Sequence, residues 1–514
     1  MGVVRINYNK MKYNFKTKQF SEIEILSKKL SIAGSDKDIA WETLKLKTEQ
    51  LASVFKEIGI PKGHPIIIYG HKEYLFPLAI LACIHSNTTY IPIDKIYPIE
   101  RIKKIVEITG SQIIINCSNE VLDIEFAVNI DSAFTPIFNF NPDYSNKIYE
   151  TLDDPLQYIM FTSGSTGEPK GVQITQNSIL TFLDWANKDF GFSADDVFMN
   201  QAPFTFDVSL CDILNSFSLG GTLVLTSSEI VKNQEVFFNR LIFYNCSVWT
   251  STPSFAYLFL RNPDFNSENI PSIKTFFFMG EDLPNRTCNI LKKSFKNTRI
   301  LNAYGPTEAT IVTTLVEITD AIIEQYPLLP IGFPMPECKI LIKKINSEDK
   351  EGELVIVGDH VSIGYFNNND FNKQKFFIHE GKRAFRTGDL AYYENDMVFC
   401  VGRNDDQVKM HGFRIELNEI NNVICKNELI SDAVTIALKR NSEVKKIVSF
   451  VILKDFIERE ILFKLLHAFL SQSLPYYMIP GDIVVVTSFP YSSSHKIDKN
   501  KLVDNYLKQQ FNNT

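Results

Sequence analysis

The sequence predicts an α/β protein: a large N-terminal domain of parallel-type α/β subdomains plus a small β subdomain, followed by a small mobile α+β C-terminal lid domain. Apolar runs of strand length alternate with amphipathic segments of helix length through most of the chain. Short alternating strands begin near residue 352, and a polar run near residue 403 precedes a last segment with its own alternation. A chain of 514 residues, 45% of them hydrophobic, also exceeds the usual size of one domain.

The elements of the first half follow from that alternation. Helices are predicted at 41–58 and 99–109, and strands at 65–69, 90–93 and 112–115. Further buried strands are predicted at 222–225, 248–250, 275–279 and 300–303. Each of these later strands precedes a turn and a helical stretch, so we expect ligand-binding loops where the strands end.

Short strands and polar turns mark the end of the large domain. The residues at 352–357 predict a strand of the β subdomain, and those at 367–370 predict only a polar turn. A predicted strand at 397–401 is followed by the polar run GRNDDQVK. We therefore expect an N-terminal domain at 1–402 and a C-terminal lid domain at 403–514.

Composition argues against several classes of protein. A net charge of −7 with no basic run argues against nucleic-acid binding. The longest apolar stretch is only about ten residues, whereas roughly 20 are needed to cross a bilayer, so no membrane insertion is expected. The N-terminus lacks a signal-peptide core, and the eight cysteines include no C-x-x-C pair, so we expect a cytoplasmic protein with reduced core thiols. Residues 403–514 hold 15 Lys and Arg against 13 Asp and Glu, which is compatible with docking an acidic protein.

The most informative segment, at 161–172, reads FTSGSTGEPKGV and follows an apolar run. Its glycines let backbone N–H groups converge on an anion, and its hydroxyls and lysine add donors, as expected of a phosphate-binding loop. The alternative, a solvated surface turn, is disfavoured by the order of strand, hydroxyl-rich loop and lysine. A proline precedes the lysine and the glycines are not spaced G-x-G-x-x-G, which excludes the two familiar phosphate loops. The predicted donors are Thr162, Ser163, Gly164, Ser165, Thr166, Gly167 and Lys170.

A second motif, NAYGPTE at 302–308, follows a predicted strand. Alone it would also be explained as a strand-ending turn with a core tyrosine. Together with the phosphate loop it indicates a nucleotide site, and the two motifs resemble those of the adenylate-forming enzymes. That resemblance implies ATP and Mg²⁺ as cofactors.

The resemblance assigns roles in the nucleotide site. Tyr304 would stack on adenine, Thr307 would contact phosphate and Glu308 would hold Mg²⁺. Asp389, in RTGDL, matches the residue that accepts hydrogen bonds from both ribose hydroxyls, and Arg403 would reach ribose or phosphate. The remaining ATP-binding positions implied by the resemblance are Gly280, Glu281, Asn302, Ala303, Gly305 and Lys496.

The resemblance also implies a catalytic cycle with a moving lid. Lys496 matches the lysine that bridges the substrate carboxylate and the α-phosphate during adenylation. After pyrophosphate leaves, the lid would rotate about a hinge at Asp405. Lys409 and Gly412 would then enter the site, and Gly412 would line a tunnel for the attacking thiol.

Asp207 indicates which kind of acid is activated, because it lies in the otherwise apolar stretch QAPFTFDVS. A buried carboxylate needs a local N–H, a cation in the chain or a ligand. In amino-acid-activating members of the family the matching Asp pairs with the substrate ammonium. Such a pair is worth on the order of 4 kcal/mol at about 4 Å and an effective dielectric near 20, enough to exclude an acid without an amine. The pocket implied by matching positions, apolar and small, consists of Asp207, Val208, Cys211, Thr250, Phe277, Met279, Ala303, Ile311, Val312 and Lys496.

Over nearly the whole chain, the sequence resembles the D-alanine–D-alanyl carrier protein ligases. The shared motifs are YGHKE at 69–73, YIPID at 90–94, NQAPFTFD at 200–207, VWTSTPSF at 248–255, MGEDLP at 279–284 and NAYGPTEAT at 302–310. Those ligases have Cys where Met279 stands. The longer Met either tightens the pocket toward glycine or is offset by the small Cys211.

We therefore expect activation of a small amino acid, first D-alanine, and its transfer to the phosphopantetheine thiol of a separate acyl carrier protein. The alternatives are activation of glycine, L-alanine, serine or proline for a peptide natural product, and an acyl- or aryl-CoA synthetase, which Asp207 disfavours. A non-enzymatic binding protein is a further hypothesis. Its only support is Ser494-His495, which replaces the family's Asn-Gly before Lys496 and makes that turn bulkier.

Overall fold

The computed structural model describes two compact units of the chain. The described residues are 11–21, 29–61, 63–118, 120, 122, 124, 128–130, 136–137, 153–164, 168–344, 346, 348–440, 443–490 and 497–512. The first unit spans 1–95, 106–161 and 171–404, and the second spans 96–105, 162–170 and 405–514.

The strands are numbered in chain order. Those of the first half are β1 (Tyr13–Asn14), β2 (Gln19–Phe20), β3 (Leu30–Ala33), β4 (Asp38–Ala40), β5 (Ile66–Gly70), β6 (Tyr90–Asp94), β7 (Ile113–Asn116), β8 (Val128–Ile130), β9 (Pro136–Ile137), β10 (Leu156–Thr162), β11 (Lys170–Thr175), β12 (Val197–Asn200), β13 (Thr222–Leu225) and β14 (Val248–Ser251). Those of the second half are β15 (Thr275–Phe278), β16 (Arg299–Tyr304), β17 (Thr314–Glu317), β18 (Phe333–Pro334), β19 (Lys339–Lys343), β20 (Gly352–Val357), β21 (Phe376–His379), β22 (Lys382–Glu394), β23 (Met397–Arg403), β24 (Gln407–Met410), β25 (Phe413–Glu416), β26 (Ile430–Arg440), β27 (Glu443–Leu453) and β28 (Asp482–Val485).

The helices are numbered in the same way. They are α1 (Trp41–Glu57), α2 (Leu75–Ser86), α3 (Ile99–Thr109), α4 (Gln176–Asp189), α5 (Val208–Leu219), α6 (Ser228–Lys232), α7 (Gln234–Phe243), α8 (Pro253–Tyr257), α9 (Asn285–Ser294), α10 (Asp320–Gln325), α11 (Asn369–Lys375), α12 (Leu417–Cys425), α13 (Arg459–Ser473) and α14 (Lys499–Asn512). Among the described residues, none of these helices combines the length and apolar character that a membrane span requires.

Two large sheets form the first unit. Within the described residues one sheet has the strand order β11-β10-β6-β5-β7-β8-β9, and the other has the order β18-β17-β16-β15-β14-β12-β13-β3-β4. In the second sheet the strands from β16 to β3 run parallel, while β17, β18 and β4 pair antiparallel at its edges. The predicted α/β class with parallel sheets is therefore confirmed.

The apolar strand sequences explain why these sheets lie inside the protein. The strand sequences IIIYG of β5 and TFFF of β15 are buried along their whole length, as expected for parallel strands covered on both faces. Successive side chains of β15 pack on opposite sides. Phe277 and Met279 belong to one hydrophobic cluster, while Phe276 and Phe278 belong to another.

A smaller sheet follows, as predicted for the β subdomain. Its strand order is β19-β20-β22-β21, and β23 pairs with β22. The predicted polar turn at 367–370 was wrong beyond its first residues, because α11 begins at Asn369. The Asn368 side chain accepts a hydrogen bond from the Phe371 N–H, so the asparagine-rich stretch is a helix N-cap.

The second unit combines short strands and helices. The hairpin β24–β25 is closed by His411 and Gly412, whose φ angles of 52° and 83° are those of a two-residue turn with a left-handed backbone. In the sheet β26-β27-β28, the first pair is antiparallel and the second is parallel. This is the α+β composition that the sequence predicted for the C-terminal domain.

His360, just after β20, predicts how stability depends on pH. Its side chain is buried, with Nε2 3.4 Å from Thr313 Oγ1, and burial lowers its pKa to about 3. Below pH 6.5 the unfolded chain takes up a proton that the folded chain does not, so stability falls as the pH falls toward 3. We expect His360 to account for a loss of about 3 kcal/mol in the free energy of unfolding between pH 7 and pH 4.

Urea unfolding of the wild-type protein and of His360→Gln at both pH values measures this effect. Gln does not titrate, so the variant should lose less stability than the wild type on acidification. Equal losses in the two proteins would show that His360 does not contribute to the acid sensitivity.

Candidate active site

The ends of parallel strands bring several predicted residues to one edge of the nine-stranded sheet. Strands β12, β14, β15 and β16 are parallel neighbours, so their carboxyl ends meet at the same edge. Thr250 lies in register with Phe277, and Phe278 with Asn302. Asp207 follows the end of β12 after a short loop. Thr250 and Phe277, predicted for the acid, and Asn302, predicted for the nucleotide, therefore lie along this edge.

The apolar residues predicted for the pocket lie in one buried cluster. Its members from that prediction are Cys211, Phe277, Met279, Ala303, Ile311 and Val312, and Val208 packs against it. The Phe277 ring also packs edge-on against Phe190 and Phe192, with centroid distances of 5.2 and 5.8 Å. The aromatic side chains packed around Phe277 therefore hold its ring in place.

Asp207 lies at the N-terminus of α5 and is only 9% exposed. Its backbone carbonyl accepts hydrogen bonds from the N–H groups of Leu210 and Cys211, whereas its side chain does not cap the helix. The helix N-terminus stabilises a negative charge at this position. Tyr158 lies close by: burial raises its pKa well above the usual value, and the Asp207 carboxylate adds to that rise.

Three residues predicted for the nucleoside contact one another. The hydroxyl of Tyr304 donates to Asp389 Oδ2 at 2.5 Å, and Arg403 Nη1 donates to Asp389 Oδ1 at 2.6 Å. Arg403 is also held by the carbonyl oxygen of Thr387, at 3.1 Å. Burial, reinforced by the Asp389 charge, raises the pKa of Tyr304 well above its usual value, so this hydroxyl stays a donor. Strand pairing explains the meeting, since Asp389 and Arg403 face each other in β22 and β23.

Glu308, the predicted Mg²⁺ ligand, is fully buried in a short 3₁₀ helix, Thr307–Ala309. Its Oε1 accepts a hydrogen bond from the hydroxyl of Tyr365 at 2.6 Å. The two residues that follow this helix, Thr310 and Ile311, have positive φ angles of 53° and 69°, which β-branched residues rarely adopt. Such strain is typical of functional sites. Predicted residue Thr307 opens the same helix.

Two predicted glycines are required by the backbone. A Cβ on Gly305 would lie 2.4 Å from the carbonyl oxygen of Ile311, and Gly280 has a φ angle of 90°. The side chains of the remaining predicted residues already have partners: Glu281 Oε2 accepts from the Ser254 N–H at 3.1 Å, and Asn302 Nδ2 donates to a backbone carbonyl at 2.8 Å.

The described part of the phosphate loop lies in the second unit, where its donors contact carboxylates. Lys170 Nζ is 3.4 Å from Glu416 Oε1, and the Gly164 N–H donates to Glu419 Oε2 at 2.8 Å. The Ser163 hydroxyl donates to a backbone carbonyl at 3.0 Å. Two groups predicted to bind phosphate oxygens therefore bind the oxygens of glutamates in this structure. Of the other loop residues, Thr162 ends β10, whereas Ser165, Thr166 and Gly167 lie outside the described residues.

Sequence reasoning missed Arg101, Glu416 and Glu419. Glu419 forms a buried ion pair with Arg101, whose Nη1 is 2.7 Å from Glu419 Oε1. The only local signal is two acidic residues at the start of the amphipathic helix α12, a pattern that usually indicates favourable charges at a helix N-terminus. Tyr365 was missed as well, because its contact with Glu308 spans 57 positions.

The residues predicted for the second half-reaction lie in or before the hairpin β24–β25. Lys409 pairs across the hairpin with Arg414, and Gly412 forms its turn. Asp405, the predicted hinge, is the first residue of the C-terminal part of the second unit and accepts a hydrogen bond from the Gln407 N–H at 3.3 Å. Lys496 lies outside the described residues.

Comparison with known proteins agrees with this fold. A family model described as AMP-binding enzyme matches residues 18–366, and the chain belongs to that family of enzymes. This membership and the similarity to curated D-alanine–D-alanyl carrier protein ligases together confirm the prediction of an ATP-dependent, AMP-forming ligase.

The chain is similar to a D-alanine–D-alanyl carrier protein ligase of Bacillus cytotoxicus, with 36% identity over 91% of this chain and 94% of that protein. A Vibrio cholerae adenylation domain crystallised with glycyl-adenosine-5'-phosphate matches with a TM-score of 0.77 and 21% identity over 95% of each chain. An o-succinylbenzoate CoA synthetase of Bacillus subtilis matches with a TM-score of 0.78 and 18% identity over 95% of this chain and 98% of that one. The last two similarities show the fold alone.

Proposed function

We propose that this enzyme activates a small amino acid, first D-alanine, as an aminoacyl-adenylate and transfers it to the phosphopantetheine thiol of a separate carrier protein. The observation that carries the proposal is the nearly buried carboxylate of Asp207 beside an apolar cluster. A carboxylate in such a place favours a cationic ligand group, which an amino acid supplies and a fatty or aryl acid lacks. The name and extent of the Bacillus relative support the choice of D-alanine and of a carrier protein.

The nucleotide is proposed to bind at the strand ends around Tyr304 and Asp389. Both oxygens of Asp389 are engaged, by Tyr304 and by Arg403. Binding of the ribose hydroxyls would require at least one of these donors to share or yield its acceptor. The short Asp389–Arg403 ion pair is thus proposed to orient the Asp389 carboxylate for hydrogen bonding to the ribose hydroxyls.

Mg²⁺ is proposed to bind Glu308 together with the phosphates of ATP. The residues fit this ion, because Glu308 is a hard oxygen ligand and Tyr365 holds one of its two oxygens in place. Glu308 would supply one ligand, and phosphate oxygens and water would supply the others. The ion would supply positive charge that neutralises the triphosphate.

Adenylation needs no general base, since the substrate carboxylate is already ionised at neutral pH. The chain's task is to orient that carboxylate toward the α-phosphorus and to stabilise the charge that accumulates. We assign the ammonium to Asp207, the phosphates to Lys170 and the loop N–H groups, and the developing charge to Lys496. Because Lys170 and the Gly164 N–H contact Glu416 and Glu419, these donors must change partner when ATP binds.

Thiol transfer is proposed to follow a rotation of the lid, residues 403–514, about Asp405. This would replace Lys496 in the site by the segment from Lys409 to Gly412. The two-residue turn at 411–412 suits that role, because a glycine without a side chain leaves room for the phosphopantetheine arm. A cytoplasmic location belongs to the same proposal: all eight cysteines lie in the described part of the chain, and none forms a disulfide.

An ATP–pyrophosphate exchange assay tests the proposed substrate class. We expect exchange with D-alanine above that with glycine, L-alanine, serine or proline, and essentially none with fatty acids. Glycine is the second candidate substrate. The buried Met279 is longer than the Cys that the D-alanine–D-alanyl carrier protein ligases have at this position, so it leaves less space for a substrate Cβ.

The variant Met279→Cys is the matched control for pocket size. If Met279 limits that space, the smaller residue should raise exchange with D-alanine relative to glycine. Exchange with a fatty acid and with no amino acid would overturn the proposed function.

A further inference from the structure

Lys72, a buried lysine that the proposed mechanism does not use, lies against the segment leading to Asp207. It follows β5 and has no exposed surface. Its Nζ donates to Asn200 Oδ1 and to the carbonyl oxygen of Ala202, each at 2.6 Å. The ammonium also lies 4.1 Å from the centroid of the Phe204 ring. Lys72 therefore contacts three residues of the stretch 200–204.

Burying the amino group of Lys72 costs free energy. What this lysine contributes beyond an apolar side chain of similar size is its hydrogen bonds. Burial lowers the pKa of Lys72 to about 7, although the carboxylates of Asp94, Asp212 and Glu73 act in the opposite direction. A methionine would fill similar volume without that cost. Even a neutral lysine keeps two N–H groups, one for each of its two acceptors.

Asn200 extends the contact from Lys72 to α5. Its Nδ2 donates to the carbonyl oxygen of Ser209 at 2.9 Å and to Asp212 Oδ2 at 3.1 Å. Both acceptors lie in the first turns of α5, the helix that Asp207 precedes. Asn200 thus links the two ends of the stretch 200–212, and Lys72, which lies outside that stretch, donates a hydrogen bond to Asn200.

A second contact holds the same stretch from the neighbouring strand. Asp94, the last residue of β6, accepts a hydrogen bond from the Phe204 N–H at 3.0 Å. His71 lies 2.9 Å from the same carboxylate. The ends of β5 and β6 therefore both bind the loop that begins at the end of β12, which belongs to the other large sheet.

We propose that Lys72 is a positioning residue for amino-acid selection: by holding Asn200 and Ala202 it places Asp207 where the carboxylate meets the substrate ammonium. This rests on the proposed role of Asp207. In this role Lys72 acts through its hydrogen bonds to Asn200 and Ala202. Its removal should therefore weaken discrimination between an amino acid and the matching acid without an amine, rather than ATP binding.

The test is ATP–pyrophosphate exchange by Lys72→Met with the amino acid that the wild type uses best and with its analogue lacking the amine, propionate for alanine or acetate for glycine. We expect the KM for the amino acid to rise about tenfold or more, because two hydrogen bonds that orient the segment are lost. The preference for the amino acid over its analogue should fall by a similar factor, while the KM for ATP stays within about twofold of the wild type.

Lys95→Met is the matched control. Lys95 follows the neighbouring strand β6 and forms partly exposed ion pairs with Glu73 and Glu120, at 3.3 and 3.2 Å. This variant should leave the preference unchanged. Lys72→Gln keeps a buried N–H donor, so its preference for the amino acid should fall less than that of Lys72→Met. It replaces Lys72→Met in the test if the latter does not fold.

The outcomes separate this inference from the proposed function. A wild type without amino-acid-dependent exchange would overturn the proposed function and the inference together. Normal wild-type exchange with an unchanged preference in the folded Lys72 variant would overturn the positioning role alone. An equal loss of activity toward both acids would also overturn it, because that is the signature of general damage to the fold.

Discussion

Asp207→Asn is expected to lower kcat/KM for the amino acid about 1,000-fold in ATP–pyrophosphate exchange, because the substitution removes the charge that pairs with the ammonium. Asn has nearly the same size and retains a side-chain oxygen, so packing at the start of α5 should persist. The KM for ATP should change little, since the nucleotide contacts proposed here do not involve Asp207. Selectivity should change most: the ratio of exchange with the amino acid to exchange with its analogue lacking the amine should approach one.

Asp196→Asn is a suitable control for that experiment. Asp196 is also a buried carboxylate, but it lies before β12, at the opposite end of the strand from the Asp207 loop. Its oxygens accept hydrogen bonds from Ser193 and Ser247, so its replacement should affect stability and not selection. A folded Asp207→Asn enzyme that still strongly prefers the amino acid would remove the basis for assigning an amino-acid substrate.

The parallel sheets were predictable because parallel strands that are buried on both faces have nearly continuous apolar sequences. The predicted strand at 222–225 and the predicted helix at 99–109 agree with the structure residue by residue. The edge strands were less visible, since β18 is only two residues long. Residues 367–370 show the limit of local reasoning, because an asparagine-rich stretch suits a turn and a helix N-cap equally well.

The side-chain contacts of the site could be predicted only where one short motif or one strand pair contains them. Asp389 and Arg403 are 14 residues apart on adjacent strands, and both were singled out from the sequence. The contact between Gly164 and Glu419 joins positions 255 residues apart. The sequence around Gly164 gives no signal of a contact with Glu419, and the sequence around Glu419 gives no signal of a contact with Gly164.

Lys72 illustrates the same limit for a buried charge. The motif YGHKE places a lysine directly after an apolar strand, where a solvent-exposed charge is the ordinary expectation. The structure instead buries it against the loop from another sheet. Residues at the strand ends of two sheets thus contact the stretch before Asp207. This arrangement depends on how the sheets pack together, so no single sequence motif predicts it.

Lys496 carries the prediction with the largest expected effect on one step of the reaction. As the substrate carboxylate attacks the α-phosphorus, negative charge builds up on the phosphoryl oxygens, and an ammonium about 4 Å away stabilises it by on the order of 4 kcal/mol. Transfer of the aminoacyl group to a thiol instead builds negative charge on the carbonyl oxygen, before AMP leaves. After the proposed rotation, Lys496 no longer lies near the reacting atoms. The two steps should therefore depend on this lysine to very different degrees.

Lys496→Ala is expected to slow adenylate formation about 1,000-fold while thiol transfer from preformed adenylate stays within about tenfold of the wild type. Single-turnover assays of each step, the second with chemically prepared aminoacyl-adenylate, measure the two rates separately. Lys499→Ala is the control, because that neighbouring lysine pairs with Asp406 at 2.5 Å on the surface and should affect neither rate. An equal loss in both steps would contradict a lysine that serves only adenylation. It would instead indicate that Lys496 stays in the site throughout the reaction.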